Sequence, residues 1–379
     1  MHHRITIQIL GLLWFLTVSA GVTLAQTKVG PDAKSLDKVV NKAVTYLKSS
    51  QDDNGGWSTK KSPGITGIVV TGLLKSGKVT PADPVAAKGL GYIEGLVNPE
   101  KGHIAGKGNP RVQLYNYVTC VNVMALVEAN RAKKYESVIG NAVKFLKQLQ
   151  WDDSEGKDRK DPFFGGAGYD SKSRPDLSNT QFFLDALKEA GVSSDDPALK
   201  KALVFVSRCQ NLPSEDNDLP FADKIKDGSF IYTPTHGGVT KVVDKSDGIP
   251  GYGSMTYAGI KSLIYCGVSK DDPRFQKAYE WIKKNYTVER NPGFAKERGE
   301  WALYYYYHTM AKALHVMEVD YVVDSKGVKH DWRKDIAEAL TAKQNKDGSW
   351  AGAGRWLESD PNLATGYALM TLSYCRPKQ

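Results

Sequence analysis

The chain has 379 residues, of which 41% are hydrophobic and 25% are charged. This composition is that of a folded globular protein, and it excludes a disordered or fibrous one. The formal net charge of +9 does not indicate nucleic-acid binding, because the lysines are spread among Asp and Glu and form no dense basic stripe.

The N-terminus is typical of a signal peptide, which we predict over residues 1–25. Arg4 precedes an apolar run from Ile5 to Val18, and Thr23-Leu24-Ala25 offers a small-residue cleavage site. An uncleaved membrane anchor is the alternative, since the run approaches the ~20 residues that a span requires. No other segment is apolar enough to cross a bilayer. We therefore expect an exported protein, residues 26–379, without a stable membrane span after cleavage.

Two similar segments flank the rest of the chain. The first runs from Gln51 to Trp57 and the second from Gln344 to Trp350, and each has an Asp/Asn run and a glycine between its ends. Looser copies lie between them, and the six copies place an aromatic or aliphatic residue at Trp57, Ile104, Tyr169, Phe230, Phe294 and Trp350. A period of roughly 45 to 65 residues predicts a repeat protein. We expect the glutamine to satisfy helix-end groups and the tryptophan to pack between helices.

Helices of two kinds alternate around these turns. The segments before the turns have apolar residues every three or four positions, as in a helix with one wet face; they run from Leu36 to Leu47, Ile139 to Leu149, Leu199 to Val206, Phe275 to Ile282 and Ile336 to Leu340. The segments after the turns are apolar or small all round, as in a helix buried on every side; examples start at Ile65, Met255 and Leu363.

This alternation predicts an all-α fold in one domain: an (α/α)6 toroid, with six buried helices inside and six amphipathic helices outside. An open superhelical solenoid is the alternative, and it would need polar caps on its terminal repeats. Closure is favoured because the first and last copies of the turn are the clearest ones.

The four cysteines are Cys120, Cys209, Cys266 and Cys375. All lie in or at the ends of apolar helical runs, without a C-x-x-C spacing or a nearby cluster of ligands. We interpret them as small buried apolar residues. Whether two of them form a disulfide is left open, since four cysteines allow three pairings.

The turn with Gln51, Gly55 and Trp57, and its copy with Gln344, Gly348 and Trp350, resembles the QW motif of the squalene/oxidosqualene cyclases and of the β-subunits of protein prenyltransferases. With the looser copies, the resemblance covers nearly the whole mature chain. It implies a toroid whose cavity opens at the N-termini of the inner helices and handles isoprenoid chains. Fold similarity alone does not transfer function.

The catalytic stretch of class II terpene cyclases, D-x-D-D-T-A, is altered in this chain. The matching residues are Asp176, Leu177, Ser178, Asn179 and Thr180. The first Asp and the Thr are kept, but Ser and Asn replace the acidic pair that includes the proton donor. Neither side chain can protonate an alkene, because both are far weaker acids than a carboxylic acid.

A metal site is not expected either. The segment from Tyr306 to Thr309 resembles the zinc-binding histidine segment of protein farnesyltransferases, which would make His308 the ligand. Its Asp and Cys partners are missing from the preceding repeat, at Gly253 to Thr256, although catalytic zinc needs about three protein ligands. No D-D-x-x-D occurs that would hold a magnesium cluster. We predict no cofactor and a cavity or core position for His308.

If the inner-helix N-termini converge, a set of candidate ligand-binding residues gathers at the cavity mouth. They are Asp176, Ser178, Asn179, Thr180, Tyr257, Glu300, Tyr304, His308 and Asp360. Converging helix N-termini favour an anionic group, and the tyrosine-rich helix near residue 300 either lines the cavity or belongs to the core. Asp176 and Asp360 begin helices and fit N-caps. No residue is assigned as catalytic.

Three functional hypotheses remain open. The first is a protein that binds, or also modifies, an isoprenoid or other apolar small molecule or lipid. The second is a carbohydrate-active enzyme, which needs two carboxylates ~5–10 Å apart, chosen from Asp176, Glu297, Glu300 and Asp360. The third is a non-catalytic binding scaffold. The loops at 151–176 and 211–250 are long enough to act as lids or partner surfaces, and the oligomeric state stays open.

Overall fold

The computed structural model describes residues 29–108, 114–130, 132–242 and 247–378, so the predicted signal peptide lies outside the described residues. The helices are α1 (Ala33–Ser49), α2 (Gly64–Lys75), α3 (Pro84–Gly95), α4 (Tyr115–Ala129), α5 (Glu136–Gln148), α6 (Leu177–Glu189), α7 (Pro197–Arg208), α8 (Ala222–Ile225), α9 (Gly253–Tyr265), α10 (Pro273–Asn285), α11 (Leu303–Val316), α12 (Trp332–Lys343) and α13 (Pro361–Tyr374). One small antiparallel hairpin pairs β1 (Val322–Val323) with β2 (Lys329–His330). The predicted all-α class is confirmed.

Buried and half-exposed helices alternate along the chain. In α2 every residue from Gly64 to Leu74 is buried, and α4, α6, α9, α11 and α13 are similar; we call these six the inner helices. In α1 the buried residues fall on one face, because its apolar positions recur every three or four residues with lysines between them. This pattern, with differing amounts of exposed surface, recurs in α3, α5, α7, α10 and α12, which with α1 form the outer helices.

The inner helices contact one another in chain order, from α2 through α4, α6, α9 and α11 to α13, and α13 contacts α2. The last of these contacts joins the two ends of the described chain. It is close because of two glycines: a Cβ at Gly72 would lie 2.8 Å from the carbonyl oxygen of Gly366. A larger residue at position 72 would therefore push the first and last inner helices apart.

The tryptophans of the two clearest turns are buried and bonded in the same way. Trp57 Nε1 donates to the carbonyl of Leu47 in α1, and Trp350 Nε1 donates to the carbonyl of Leu340 in α12, each over 2.8 Å. Both indoles are 0% exposed. Each therefore fastens the last turn of an outer helix to the loop that leads into the next inner helix.

The glutamines of these turns reach to a neighbouring outer helix. Gln51 Nε2 donates to the carbonyl of Val85 in α3 (2.9 Å), and Gln344 Nε2 donates to that of Val39 in α1 (3.0 Å). Side-chain amides thus link α1 to α3 and the last outer helix, α12, back to α1.

In five inner helices (α2, α4, α6, α9 and α13) a threonine near the start accepts a hydrogen bond from the backbone N–H of the preceding turn. This bond shows which residue occupies the equivalent position in the third copy, and it differs from the residue that the sequence predicts. Trp57 N donates to Thr66 Oγ1 over 3.0 Å, and Ala167 N donates to Thr180 Oγ1 over the same distance. The sequence pattern predicts Tyr169 at this position. The structure places Ala167 there, because the bonding residue follows two positions after a glycine with positive φ in both turns. Tyr169 instead faces the cavity described below.

All four cysteines are buried as free thiols. Across the described ranges, no helix is long and apolar enough to cross a membrane.

Candidate functional site

A cavity of about 340 Å³ lies at the N-terminal ends of the inner helices. Every inner helix contributes to it from its first turns, through Ile65, Tyr117, Phe182, Met255, Tyr305 and Tyr367 among others. The volume falls within the ~300–1,000 Å³ range of small-molecule sites.

Aromatic rings form much of the cavity wall and pack edge to face. The Tyr117 and Phe182 rings are 5.1 Å apart at 87°, and the Tyr305 and Tyr367 rings are 6.2 Å apart at 70°. The hydroxyls of Tyr117 and Tyr367 are 3.1 Å apart, so they hydrogen-bond to each other. Burial raises the pKa of Tyr117 to about 12. The aromatic part of the wall is therefore uncharged at neutral pH and presents mainly ring surfaces.

The two long loops predicted at 151–176 and 211–250 reach the cavity mouth. They contribute Tyr169, Tyr232 and Lys241 to its lining. Asn116 N, in the first turn of α4, donates to the carbonyl of Tyr169 over 2.9 Å, which holds the first loop against the helix ends.

Ser178 and Asn179 are the two predicted site residues that line the cavity. Ser178 Oγ lies 3.0 Å from the hydroxyl of Tyr305. Asn179 donates to Asp176 from both its backbone N and its Nδ2, each over 2.9 Å. Asp176 is the N-cap of α6 and is 2% exposed, and burial raises its pKa despite these bonds. The stretch that matches the class II acid motif is thus polar, and its Asp176 serves as the cap of a helix.

Three further predicted site residues lie outside the lining. Thr180 bonds the turn at Ala167, as described above. Asp360 is the N-cap of α13 and forms an ion pair of 2.7 Å with Lys61, which does line the cavity. Glu300 is on the surface, where it pairs with Lys343 over 3.1 Å.

The remaining predicted residues lie in helix contacts outside the lining. Tyr257 and Tyr304 are buried and pack against other tyrosines of α11. His308 is 1% exposed, and neither ring nitrogen has a hydrogen-bond partner. Burial, with the charges of Lys312 and Lys261, holds its pKa well below the ordinary range. The imidazole is therefore neutral, and its ring centre lies 5.7 Å from that of the lining residue Tyr367.

Glu358 is a lining residue that the sequence pattern does not predict. It precedes α13, is 1% exposed, and accepts a hydrogen bond from Tyr305 N over 2.7 Å through Oε1. Its Oε2 is buried without a partner. Burial raises the pKa of Glu358 to about 7, although backbone N–H groups at the start of α11 oppose the rise. The carboxylic acid form is therefore populated at neutral pH, which is the range that suits a general acid.

A buried cluster of charges lies among the inner helices and was also missed. Lys261 Nζ is 2.7 Å and Lys312 Nζ 3.0 Å from the carboxylate of Asp185, and Lys312 also pairs with Glu189 over 2.6 Å. Although burial raises it, the two lysines hold the pKa of Asp185 below its ordinary value. In the sequence, the signal for this cluster is the presence of single charged residues, Asp185, Lys261 and Lys312, inside otherwise apolar helices.

The charge cluster is connected to the cavity through one amide. Lys261 Nζ donates to Gln181 Oε1 over 2.6 Å, and Gln181 Nε2 donates to the hydroxyl of Tyr305 over 3.1 Å. The cation fixes the orientation of the amide, since only the carbonyl side can accept from an ammonium group. The hydroxyl of Tyr305 therefore accepts a hydrogen bond from Gln181 and also lies within hydrogen-bond distance of the lining residue Ser178.

Across the described ranges, no group of three or more His, Cys, Asp and Glu side chains is arranged to hold a metal ion.

No protein-family model matches the sequence, and no curated protein matches it. Among solved structures, the chain is similar to the type II terpene cyclase MstE from Scytonema, with a TM-score of 0.54 and 13% sequence identity over 90% of this chain and 98% of that chain. A single-residue variant of the same cyclase gives a TM-score of 0.53 and 13% identity over 90% and 96% of the two chains. At this identity the likeness concerns the fold, which is that of a terpene cyclase-like helical protein.

Proposed function

We propose that this protein is an exported toroid of six helix pairs that binds an isoprenoid or another apolar ligand in the cavity at the inner-helix N-termini. The closed order of contacts among the inner helices supports the toroid, and the sequence of residues 1–25 supports export. The terpene cyclase-like fold supports the class of ligand.

The observation that carries the proposal is the wall of the cavity. Its aromatic rings pack edge to face and stay uncharged at neutral pH. Such a wall offers apolar contact along its length, where each buried CH₂ group of a ligand contributes about 0.8 kcal/mol. Branched hydrocarbon chains fit this chemistry better than hydroxyl-rich sugars do.

The carbohydrate-active alternative is disfavoured by where the predicted carboxylates lie. That chemistry needs two carboxylates facing each other across the substrate. Asp176 caps α6, and Asp360 is paired with Lys61. Glu300 lies on the surface with Lys343, and Glu297 is exposed and outside the lining. Within the described part of the lining, Glu358 is the one carboxylic acid.

The binding proposal is tested by extracting the purified protein with organic solvent and analysing the extract by mass spectrometry. We expect an isoprenoid or other lipid, and its loss from Ser178→Phe, which places a ring in the cavity. Ser325→Phe is the matched control, because Ser325 is exposed on the hairpin turn. Clean extracts, together with binding to a polysaccharide, would refute the proposal in favour of the carbohydrate alternative.

One observation favours a second step, cyclisation of the bound ligand. Because Glu358 Oε1 already accepts from Tyr305 N, the proton of its acid form lies on the unpartnered Oε2. Transfer of this proton to the double bond of the ligand's last isoprene unit would leave Glu358 as a carboxylate and form a tertiary carbocation. An internal alkene would then attack the cation, and loss of a proton would end the reaction with the mass unchanged. Incubation with geranylgeraniol should yield cyclic isomers with the native protein and none with Glu358→Gln; isomers from the variant would exclude Glu358 as the acid.

A further inference from the structure

Lys241 lines the mouth of the cavity, and two further cationic side chains, Arg174 and Arg355, lie beside it outside the lining. Burial lowers the pKa of Lys241, and the positive charges of Arg174 and Arg355 lower it further, whereas Asp176 opposes them. The three cations are therefore close enough to repel one another, and one buried carboxylate with a raised pKa offsets them only in part.

Aromatic rings rather than carboxylates hold these cations. Lys241 Nζ lies 4.1 Å from the centre of the Tyr232 ring, and the guanidinium carbon of Arg174 lies 5.4 Å from the same centre. The guanidinium of Arg355 lies 4.5 Å from the ring centre of Trp301. A ring face attracts a cation without neutralising it, so the charge remains available to a ligand.

Lys61 provides a contrast at the same cavity. It is a lining residue too, but Asp360 lies 2.7 Å from its Nζ. In the described chain, no such ion pair involves Arg174, Lys241 or Arg355, and Arg174 Nη1 is buried without a hydrogen-bond partner. The uncompensated charge is thus confined to one side of the mouth, where loops 151–176 and 211–250 meet the loop before α13.

We propose that the ligand of the cavity is an amphiphile whose anionic head group, a phosphate ester or a carboxylate, is bound at the mouth by Arg174 and Lys241. This inference rests on the proposed function, since the apolar tail is the part that fills the cavity. An anionic oxygen would accept from the unpartnered Nη1 of Arg174 and would relieve the repulsion between the cations. A guanidinium also binds phosphate and carboxylate through two parallel hydrogen bonds.

The test compares three probes with the same hydrocarbon tail: geranylgeranyl diphosphate, geranylgeranoic acid and geranylgeraniol. Affinity is measured by calorimetry at low salt and at high salt. At least one anionic probe should bind about tenfold more tightly than the alcohol, as expected for a charge-assisted hydrogen bond, and salt should reduce the difference. Preference for both anions identifies any anionic head, whereas preference for the diphosphate alone identifies a phosphate ester; both results support the inference.

The double variant Arg174→Gln with Lys241→Gln should lose the preference and keep the affinity for geranylgeraniol, which also reports that it is folded. Lys241→Gln alone should lose part of the preference for an anionic head group. Lys200→Gln is the control, because Lys200 is an exposed lysine of α7. Equal binding of all three probes, or a preference retained in the double variant, would overturn the head-group inference and leave the proposed function standing. Failure of all three to bind would remove the proposed function itself.

Discussion

Replacing Glu358 by glutamine should stabilise the protein above pH 7 and change its stability by less than ~1 kcal/mol at pH 5. The carboxyl is 1% exposed and its Oε2 has no partner, so ionisation places an incompletely compensated charge in the interior. Glutamine has the shape of the protonated acid, and its carbonyl can still accept the hydrogen bond from Tyr305 N. It cannot ionise.

The size of the effect follows from the pKa of Glu358, which burial raises from 4.5 to about 7. This difference corresponds to up to about 3 kcal/mol. Between these two values the folded state retains a proton that the unfolded state has released. The free energy of unfolding therefore decreases as pH rises, by about 1.4 kcal/mol per pH unit, and levels off above pH 7.

The assay is urea unfolding followed by circular dichroism at pH 5, 6, 7 and 8. The stability of Glu358→Gln relative to the native protein should grow from less than ~1 kcal/mol at pH 5 to about 3 kcal/mol at pH 8. Asp196→Asn is the control: despite partial burial, Lys147 and the N–H of Ala198 hold the pKa of Asp196 below its ordinary value. Its contribution is complete above pH 5, so this variant should be less stable by a constant amount. A difference for Glu358→Gln that is also constant with pH would refute the reasoning.

Two further predictions concern the scaffold, and urea unfolding measures both. Gly72→Ala should cost about 1–3 kcal/mol, because its Cβ would meet backbone of α13 at 2.8 Å, whereas Gly91→Ala in α3 has open space and should add about 0.5–1 kcal/mol; equal effects would mean that α2 and α13 do not pack so closely. Lys261→Met should cost about 3–5 kcal/mol by leaving Asp185 with one cation instead of two, and a second change, Asp185→Met, should restore much of it because Lys312 keeps Glu189. Additive losses in the double variant would contradict this coupling.

The scaffold was predictable because its determinants are local. The spacing of apolar residues in α1 and the buried run of α2 follow directly from the sequence, and both helices are present. In the turn from Gln51 to Trp57, Gln51 Nε2 donates to the carbonyl of Gly55, and Trp57 bonds Leu47 and Thr66, which are at most ten residues away. The shift from Tyr169 to Ala167 in the third copy arose where an inserted loop obscured the glycine that sets the position.

The site was less predictable because its residues meet through the fold. Glu358 belongs to a loop without periodicity, and it becomes a lining residue only because the start of α11 lies beside it. Lys241 and Arg174 are far apart in sequence and share the ring of Tyr232. By contrast, Ser178 and Asn179 were found because they stand where a related motif has its acids, a signal that gave their position but not their chemistry.

Two inner helices begin without a capping side chain, and this explains which loops lie over the mouth of the cavity. The N-cap residues of α4 and α11 are Leu114 and Ala302, which have positive φ and no side chain that can accept a hydrogen bond. Both line the cavity. The free N–H groups of these helices are satisfied instead from loops, by the carbonyl of Tyr169 for α4 and by Glu358 for α11.

Uncapped helix ends thus draw loop 151–176 and the loop before α13 over the cavity. Trp356 and Leu357, beside Glu358, also adopt positive φ while lining it. Backbone of this kind costs free energy that the rest of the fold must supply. Ordinary capping residues at Leu114 and Ala302 would remove that cost, but they would also satisfy the N–H groups that hold the loops and the buried acid in place. The departures from local rules that conceal the site in the sequence are therefore the same features that assemble it.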